Sequence, residues 1–345
     1  MKSKVLNAAI CAVLATGTTA TASACTRVVW DTAEHGTFVT RTMDWLEATS
    51  PTLRNIPRGS EYNGHLEFER SHTSKYDVTG ITTYGMITNG ANSEGLSGNT
   101  LFDDNMDAAK ASSSDDIGVA TYLTHILSQF ANVADVVKFV EASPAVSESV
   151  PGVPTDITLH YSFQDVSGDS AIVEFRDGKA RIWHGSEYNV MTNQPDFEVH
   201  LTNIERSQRG WGDKSSQNSQ TRLMTGGNIN AEDRFIHATY FASHLKEPTS
   251  VRNGVVKLDA VPFKIPHDAP NRPLNGIMAG YATEYTVTEH LQSGETMVRY
   301  QWGDTASQFT YNVKQIQDSG KSLDFSINTD GLYGDITQAI VSSAN

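Results

Sequence analysis

Cysteine is nearly missing from this chain, with two among 345 residues, Cys11 and Cys25. A framework of disulfides is therefore excluded. Beyond the N-terminus no segment approaches the run of about eighteen apolar residues that a transmembrane helix needs, so stable membrane insertion is not expected. Basic residues are outnumbered, 26 Lys and Arg against 40 Asp and Glu, for a net charge of −14. A chain this acidic is repelled by phosphate backbones and anionic lipid surfaces, which argues against nucleic-acid partners. Several motifs are also lacking. The eleven histidines are scattered, with no HExxH and no recognisable pairing with a cysteine, and read as surface or core residues. Gly95-Leu96-Ser97-Gly98 lacks the spacing of a serine nucleophile elbow, and Gly226-Gly227 reads as a turn rather than a phosphate cradle. No metal or organic cofactor is implied.

What is present begins at the N-terminus. Lys2 and Lys4 precede an apolar stretch near Ala8 to Ala15, and Ala22-Ser23-Ala24 then leads into Cys25. This is the pattern of a secretory signal peptide ending in a small-x-small cleavage site, so residues 1–24 are expected to be removed and 25–345 to form a single domain, periplasmic or secreted. Removal would leave 345 − 24 = 321 residues and, with two lysines lost, a net charge of −14 − 2 = −16. Cys11 would leave with the leader. Cys25 would then be the sole cysteine and the first residue, its thiol beside its own α-amine. An amine with a pKa of about 8 can act as general base for that thiol, with no histidine required. The competing reading is a lipid anchor on Cys25 and a periplasmic binding protein; Ala22 stands where lipidation sites usually carry leucine.

The local patterns are those of a mixed α+β chain. Cys25 to Trp30 and Gly36 to Met43 are β-branched and aromatic and read as a hairpin. Further strands are expected at 85–88, 96–102, 159–164, 170–176, 179–183, 190–192, 284–288 and 295–300, with Asp177-Gly178 as a hairpin turn. Helical spacing runs over 116–130 and 133–142, and a third helix over 230–245 with Asn230 as its cap. Segments 103–115 and 210–228 read as surface loops. Sheets packed on each other with helices outside give the simplest architecture.

Arg41 and Asp44 lie sixteen and nineteen residues after Cys25, at the end of the second strand of the hairpin, which returns toward the start of the first. An arginine there favours a thiolate and an aspartate can orient an amine, although a surface ion pair explains the two equally well on their own.

With these residues in place the chain resembles the choloylglycine hydrolase family, which holds penicillin V acylases and conjugated bile salt hydrolases. The resemblance rests on Cys25-Thr-Arg, Arg41-Thr-Met-Asp44-Trp45, Asn92-Ser-Glu-Gly-Leu96, Thr192-Asn193-Gln-Pro195-Asp-Phe197 and Asp233-Arg234-Phe235, in family order. It implies a four-layer αββα sandwich of the N-terminal-nucleophile type and a homotetramer. It also implies Cys25 as nucleophile and base, Arg41 and Asp44 as its supports, Asn193 as an oxyanion donor and Arg234 as part of the polar network. Where bile salt hydrolases place an asparagine as second oxyanion donor, this chain has Phe102, whose backbone N–H can donate; Asn99 is the rival position. That departure leans toward penicillin V acylase and away from bile salts, with N-acyl homoserine lactones as another acyl-amide substrate class. Trp45 is a candidate wall for an apolar acyl pocket, or ordinary core.

Overall fold

The computed structural model describes residues 25–63, 71–149, 157–209, 211, 229–274 and 277–344. The expected signal peptide, and all of the 210–228 loop but Trp211, lie outside the described residues.

Fifteen strands form two large antiparallel sheets. In the first sheet, β1 (Thr26–Thr32) and β2 (Gly36–Trp45) pair as the expected hairpin, followed across the sheet by β11 (Ala282–His290), β12 (Glu295–Trp302), β13 (Thr305–Asn312) and β15 (Tyr333–Asp335), while β10 (Val190–Thr192) flanks β1 on the other side. Only the β13–β15 contact is parallel. The second sheet holds eight strands in nearly sequential order: β9 (Lys179–His184), β8 (Ser170–Arg176), β7 (Leu159–Gln164), β6 (Ser97–Phe102), β5 (Met86–Asn92), β4 (Val78–Thr83), β3 (Thr52–Ile56) and β14 (Leu323–Ser326). Asp177 and Gly178 both have positive φ, 52° and 70°, as the two-residue turn between β8 and β9 requires.

Helices cover the outer faces. α1 (Tyr122–Gln129) and α2 (Val133–Ala142) lie on the second sheet, and a continuous core joins Leu123, Ile126, Val136 and Val140 to Tyr161, Phe163 and Phe175. α3 (Phe197–Gln208) packs on α4 (Ala231–His244), which with α5 (Val251–Asp259) covers the first sheet. Gly254 lets α5 sit directly on β2, since a Cβ there would stand 2.4 Å from the Phe38 ring. Two short helices, α6 (Val313–Asp318) and α7 (Thr337–Ser343), follow. The order helix, sheet, sheet, helix is the expected αββα sandwich.

Caps account for two helix starts: Asn132 accepts from the Asp135 N–H, and Asn230 from that of Asp233. The helix expected over 116–130 begins only at Tyr122. Before it, Gly118 bridges to Val146 and its carbonyl takes the N–H groups of Thr121 and Tyr122, so the apolar Ile117 and Ala120 are buried by a turn. Periodicity alone does not separate those two cases. Among the described residues no helix is long and apolar enough to cross a membrane.

Two irregularities shape the centre. Opposite β2 the register of β11 slips by one residue at Glu284, and opposite β4 that of β5 slips at Thr88. Such bulges re-aim side chains beside functional sites. Past Asn89 and Asn99, β5 and β6 are no longer paired, and the gap between them opens a pocket.

Candidate active site

Cys25 immediately precedes β1. The register Thr26 to Thr42 carries the end of β2 back past it, so the Asp44 N–H points at the Cys25 sulfur from 3.5 Å. Side chains alternate along β2, which sends Arg41 and Asp44, three apart, to opposite faces. Arg41 lies between the sheets, where it donates to the Tyr285 hydroxyl at 2.8 Å and across to the Thr100 carbonyl at 3.1 Å. Burial weakens the Arg41 charge, but Tyr285, Cys25 and Asp44 outweigh it and hold the pKa above its ordinary value. Asp44 is fully buried, and burial pushes its pKa up to about 6 against the pull of Arg234, Thr283, Thr42 and Arg41.

Asn193 and Arg234 arrive from the other side. β10 pairs with β1 through Thr192 and Thr26, which brings Asn193 alongside Cys25. α4 packs on both strands and delivers Arg234, whose guanidinium reaches the Cys25 carbonyl at 2.5 Å, Thr26 Oγ1 at 2.8 Å and Asn193 Oδ1 at 3.0 Å. This last contact sets the Asn193 amide: its oxygen faces Arg234, and its Nδ2 donates to the Phe102 carbonyl at 2.8 Å. An amide nitrogen carries two hydrogens, so one donor is left for another acceptor. Below it, His200 Nε2 lies 2.9 Å from the Asn193 carbonyl, and burial lowers that imidazole to about 4, leaving it neutral near pH 7.

The orientation of Phe102 follows from strand geometry. Asp103 N–H bonds to the Thr158 carbonyl in line with β7, so Phe102, one residue earlier, turns its backbone polar groups away from β7. Its carbonyl meets Asn193, and its N–H points to the same side.

Of these groups, Cys25, Arg41 and Phe102 line an apolar pocket. Cys25 and Arg41 border it on one side; Met86, Ile87, Phe102 and Leu159 supply an apolar wall opposite. Trp45 lies at 5.7 Å from the Phe102 ring and donates to the Tyr84 hydroxyl, which in turn donates to Glu47 at 2.6 Å. Trp45 is thus part of the lining. Asn99 is buried between Asn89 and Ser162 and does not line the pocket.

Cys25, Arg41, Asp44, Asn193, Arg234 and Phe102, far apart in sequence, are brought together. Thr26, Thr42 and Tyr285 belong to the same network without having been singled out. Thr26 and Thr42 lie inside the quoted motifs and link in series, Thr26 N–H to Thr42 Oγ1 at 3.0 Å and Thr42 to Asp44 at 3.2 Å. Tyr285, on β11, carries no local signal. Among the described residues, one group has metal-ligating side chains within reach of one another: Asp103, His160 and Glu174. Asp103 and Glu174 already share the guanidinium of Arg176, at 2.8 and 3.2 Å.

Residues 25–295 match the profile of the linear amide C–N hydrolases of the choloylglycine hydrolase family. A penicillin V acylase of Pectobacterium atrosepticum is 31% identical over 248 residues, which is 68% of this chain and 63% of that protein. A bile salt hydrolase/transferase of Clostridium perfringens is 26% identical over 194 residues, 52% of this chain and 56% of that one. The matches thus span less than two thirds of these curated relatives. The solved penicillin V acylase of Agrobacterium tumefaciens superposes with a TM-score of 0.76 at 25% identity, covering 91% of this chain and 96% of that one. A conjugated bile acid hydrolase of Clostridium perfringens shares the fold, with a TM-score of 0.74 at 20% identity over 89% of this chain and 98% of that one. The fold, the five motifs and the matched profile agree: the chain belongs to the choloylglycine hydrolase family of linear amide C–N hydrolases.

Proposed function

We propose that this protein is an exported amidase that cleaves the side-chain amide of phenoxymethylpenicillin or a similar acylated amine, with Cys25 as its N-terminal nucleophile. The observation that carries the reading is the placement of Cys25 on an apolar pocket beside Arg41, with Asn193 brought alongside by the pairing of Thr26 with Thr192. An aryloxy or acyl group suits the apolar wall, and the scissile carbonyl would then lie at the sulfur. The penicillin V acylases among the relatives support this choice of substrate.

Cleavage before Cys25 supplies the α-amine. That amine takes the thiol proton, and the sulfur attacks the amide carbonyl carbon. The carbonyl oxygen becomes an oxyanion, held by the second N–H of Asn193 and the backbone N–H of Phe102. The α-ammonium returns the proton to the leaving nitrogen as the C–N bond breaks. Water then attacks the acyl-thioester, the amine accepts its proton, and the carboxylic acid leaves as the thiol re-forms. Arg234 holds the Cys25 carbonyl and the Asn193 amide in one frame throughout. Arg41 keeps a permanent positive charge beside the sulfur.

The test is to export the full chain, read its N-terminus, and compare hydrolysis of phenoxymethylpenicillin, an N-acyl homoserine lactone and glycocholate on the same sample. A chain starting with unmodified Cys25 that releases phenoxyacetic acid fastest is the expected result. An acylated or differently cut N-terminus would overturn the proposed base. Faster hydrolysis of one of the other two substrates would overturn the substrate choice alone.

A further inference from the structure

The two donors assigned to the oxyanion sit on separate pieces of chain, Phe102 at the end of β6 and Asn193 just past β10, joined directly by the Asn193 Nδ2 bond to the Phe102 carbonyl at 2.8 Å and, through their neighbours, by a second tie. A single buried guanidinium spans the two. Arg176, the last residue of β8, forms an ion pair with Asp103 Oδ2 at 2.8 Å, one residue beyond Phe102, while its Nη1 donates a hydrogen bond to the Phe175 carbonyl at 2.9 Å. Its other edge binds Asp196 Oδ1, through Nη2 at 2.9 Å and Nε at 3.2 Å, three residues beyond Asn193. Its Nη2 also lies 3.2 Å from Glu174, and Glu174 takes the Phe197 N–H at 2.8 Å. Two further bonds tie the same segments: Asn105 to Asp196 and Gln194 to Asp104, both 2.8 Å. Burial opposes the Arg176 charge, yet Asp196, Asp103 and Glu174 outweigh it and raise the pKa.

We propose that Arg176 is a positioning residue for the oxyanion site, fixing the distance between the Phe102 N–H and the Asn193 amide by clamping Asp103 and Asp196 to one planar fork. It touches no reacting atom, and the proposal rests on the amidase reading above. A guanidinium can hold two carboxylates on separate edges in fixed geometry; an ammonium is a point charge that cannot. The two carboxylates of the group Asp103, His160 and Glu174 accordingly face this arginine, which supplies the positive charge between them.

Two variants separate positioning from mere stability. Arg176→Lys keeps the charge and loses the fork; Asp196→Asn keeps the arginine beside Asp103 and weakens the second arm together with the Asn105 bond to Asp196. A misplacement of about 1 Å can cost a hundredfold in rate. The expected result is a fall in kcat of about ten- to a hundredfold for Arg176→Lys and a smaller fall for Asp196→Asn, with KM within about twofold. Cys25 alkylation by iodoacetamide, which uses no oxyanion donor, should proceed at the wild-type rate in both. Phenoxyacetaldehyde supplies the second readout: the thiol S–H adds across its C=O to give a hemithioacetal, with no leaving group, whose oxygen takes the oxyanion position. Its affinity should fall by the same factor as kcat. Should Arg176→Lys not fold, Asp196→Asn carries the test alone. Variants with wild-type kcat, or with alkylation slowed in step with kcat, overturn the clamp. A wild-type protein lacking amidase activity overturns the proposed function, and the clamp with it.

Discussion

The two sheets contribute opposite chemistry to one pocket. From the first come Cys25, Arg41 and Asp44, with Asn193 and Arg234 attached through β10 and α4; from the second come Met86, Ile87, Phe102 and Leu159. The first side is polar, buried and cross-linked by hydrogen bonds. The second is an apolar gap left where β5 and β6 part. The difference separates two tasks. Apart from the Phe102 backbone N–H, bond-making depends on the charged side and should tolerate almost no change, whereas the choice of acyl group depends on the side chains of the apolar side and should change gradually with their shape.

Four substitutions would break or sharpen that contrast. The largest effect is expected for Cys25→Ala, which should lower turnover at least about a thousandfold while leaving the thermal midpoint nearly unchanged, measured by product release and calorimetry. Next, Asn193→Ala removes an oxyanion donor and should lower kcat by about a hundred- to a thousandfold with little change in KM. If KM rose instead, Asn193 would be a substrate contact and the division between the sheets would be wrong.

Asp44 gives a pH signature. Its folded pKa of about 6 lies above the ordinary 3.8, so the folded chain binds this proton more tightly than the unfolded chain does. Stability from this group therefore rises as pH falls from about 6 toward 4 and is lost again as pH climbs through 6, which denaturation midpoints at several pH values would show. Activity should move the other way, with an acid limb near pH 6 as Asp44 loses its charge, and Asp44→Asn should lack that limb in a pH profile of kcat/KM. The smallest effect belongs to the apolar wall. Met86→Ala should raise KM for an aryloxy substrate by about tenfold and leave kcat within a few-fold, because lost apolar contact weakens binding in ground and transition states alike.

The same contrast decides what was legible in the sequence. The charged side is written in short motifs: Cys25-Thr26-Arg27 and Arg41-Thr42-Met43-Asp44 lie on one hairpin, whose register alone predicts their meeting. Strands with clear alternation or turn signals, such as β7, β8 and β10, were readable to the residue, because a strand's period and the Asp177-Gly178 turn are local properties. The apolar side depends on a bulge at Thr88 and on β5 and β6 ceasing to pair, which are tertiary events with no signature in Met86-Ile87 or Leu159. Tyr285 and Arg176 were likewise hidden, the first because its partner Arg41 lies 244 residues away. Arg176 looked like the end of a strand before a turn. Only the loops that meet on it show what it holds.

The most direct test of the central claim is a mass spectrum of the exported protein, acid-quenched within one turnover of mixing with phenoxymethylpenicillin. The account predicts a chain beginning at Cys25 that carries one phenoxyacetyl group on that residue, and none on the Cys25→Ala variant. An active protein whose acyl group sits elsewhere, or whose chain begins at another residue, would contradict it.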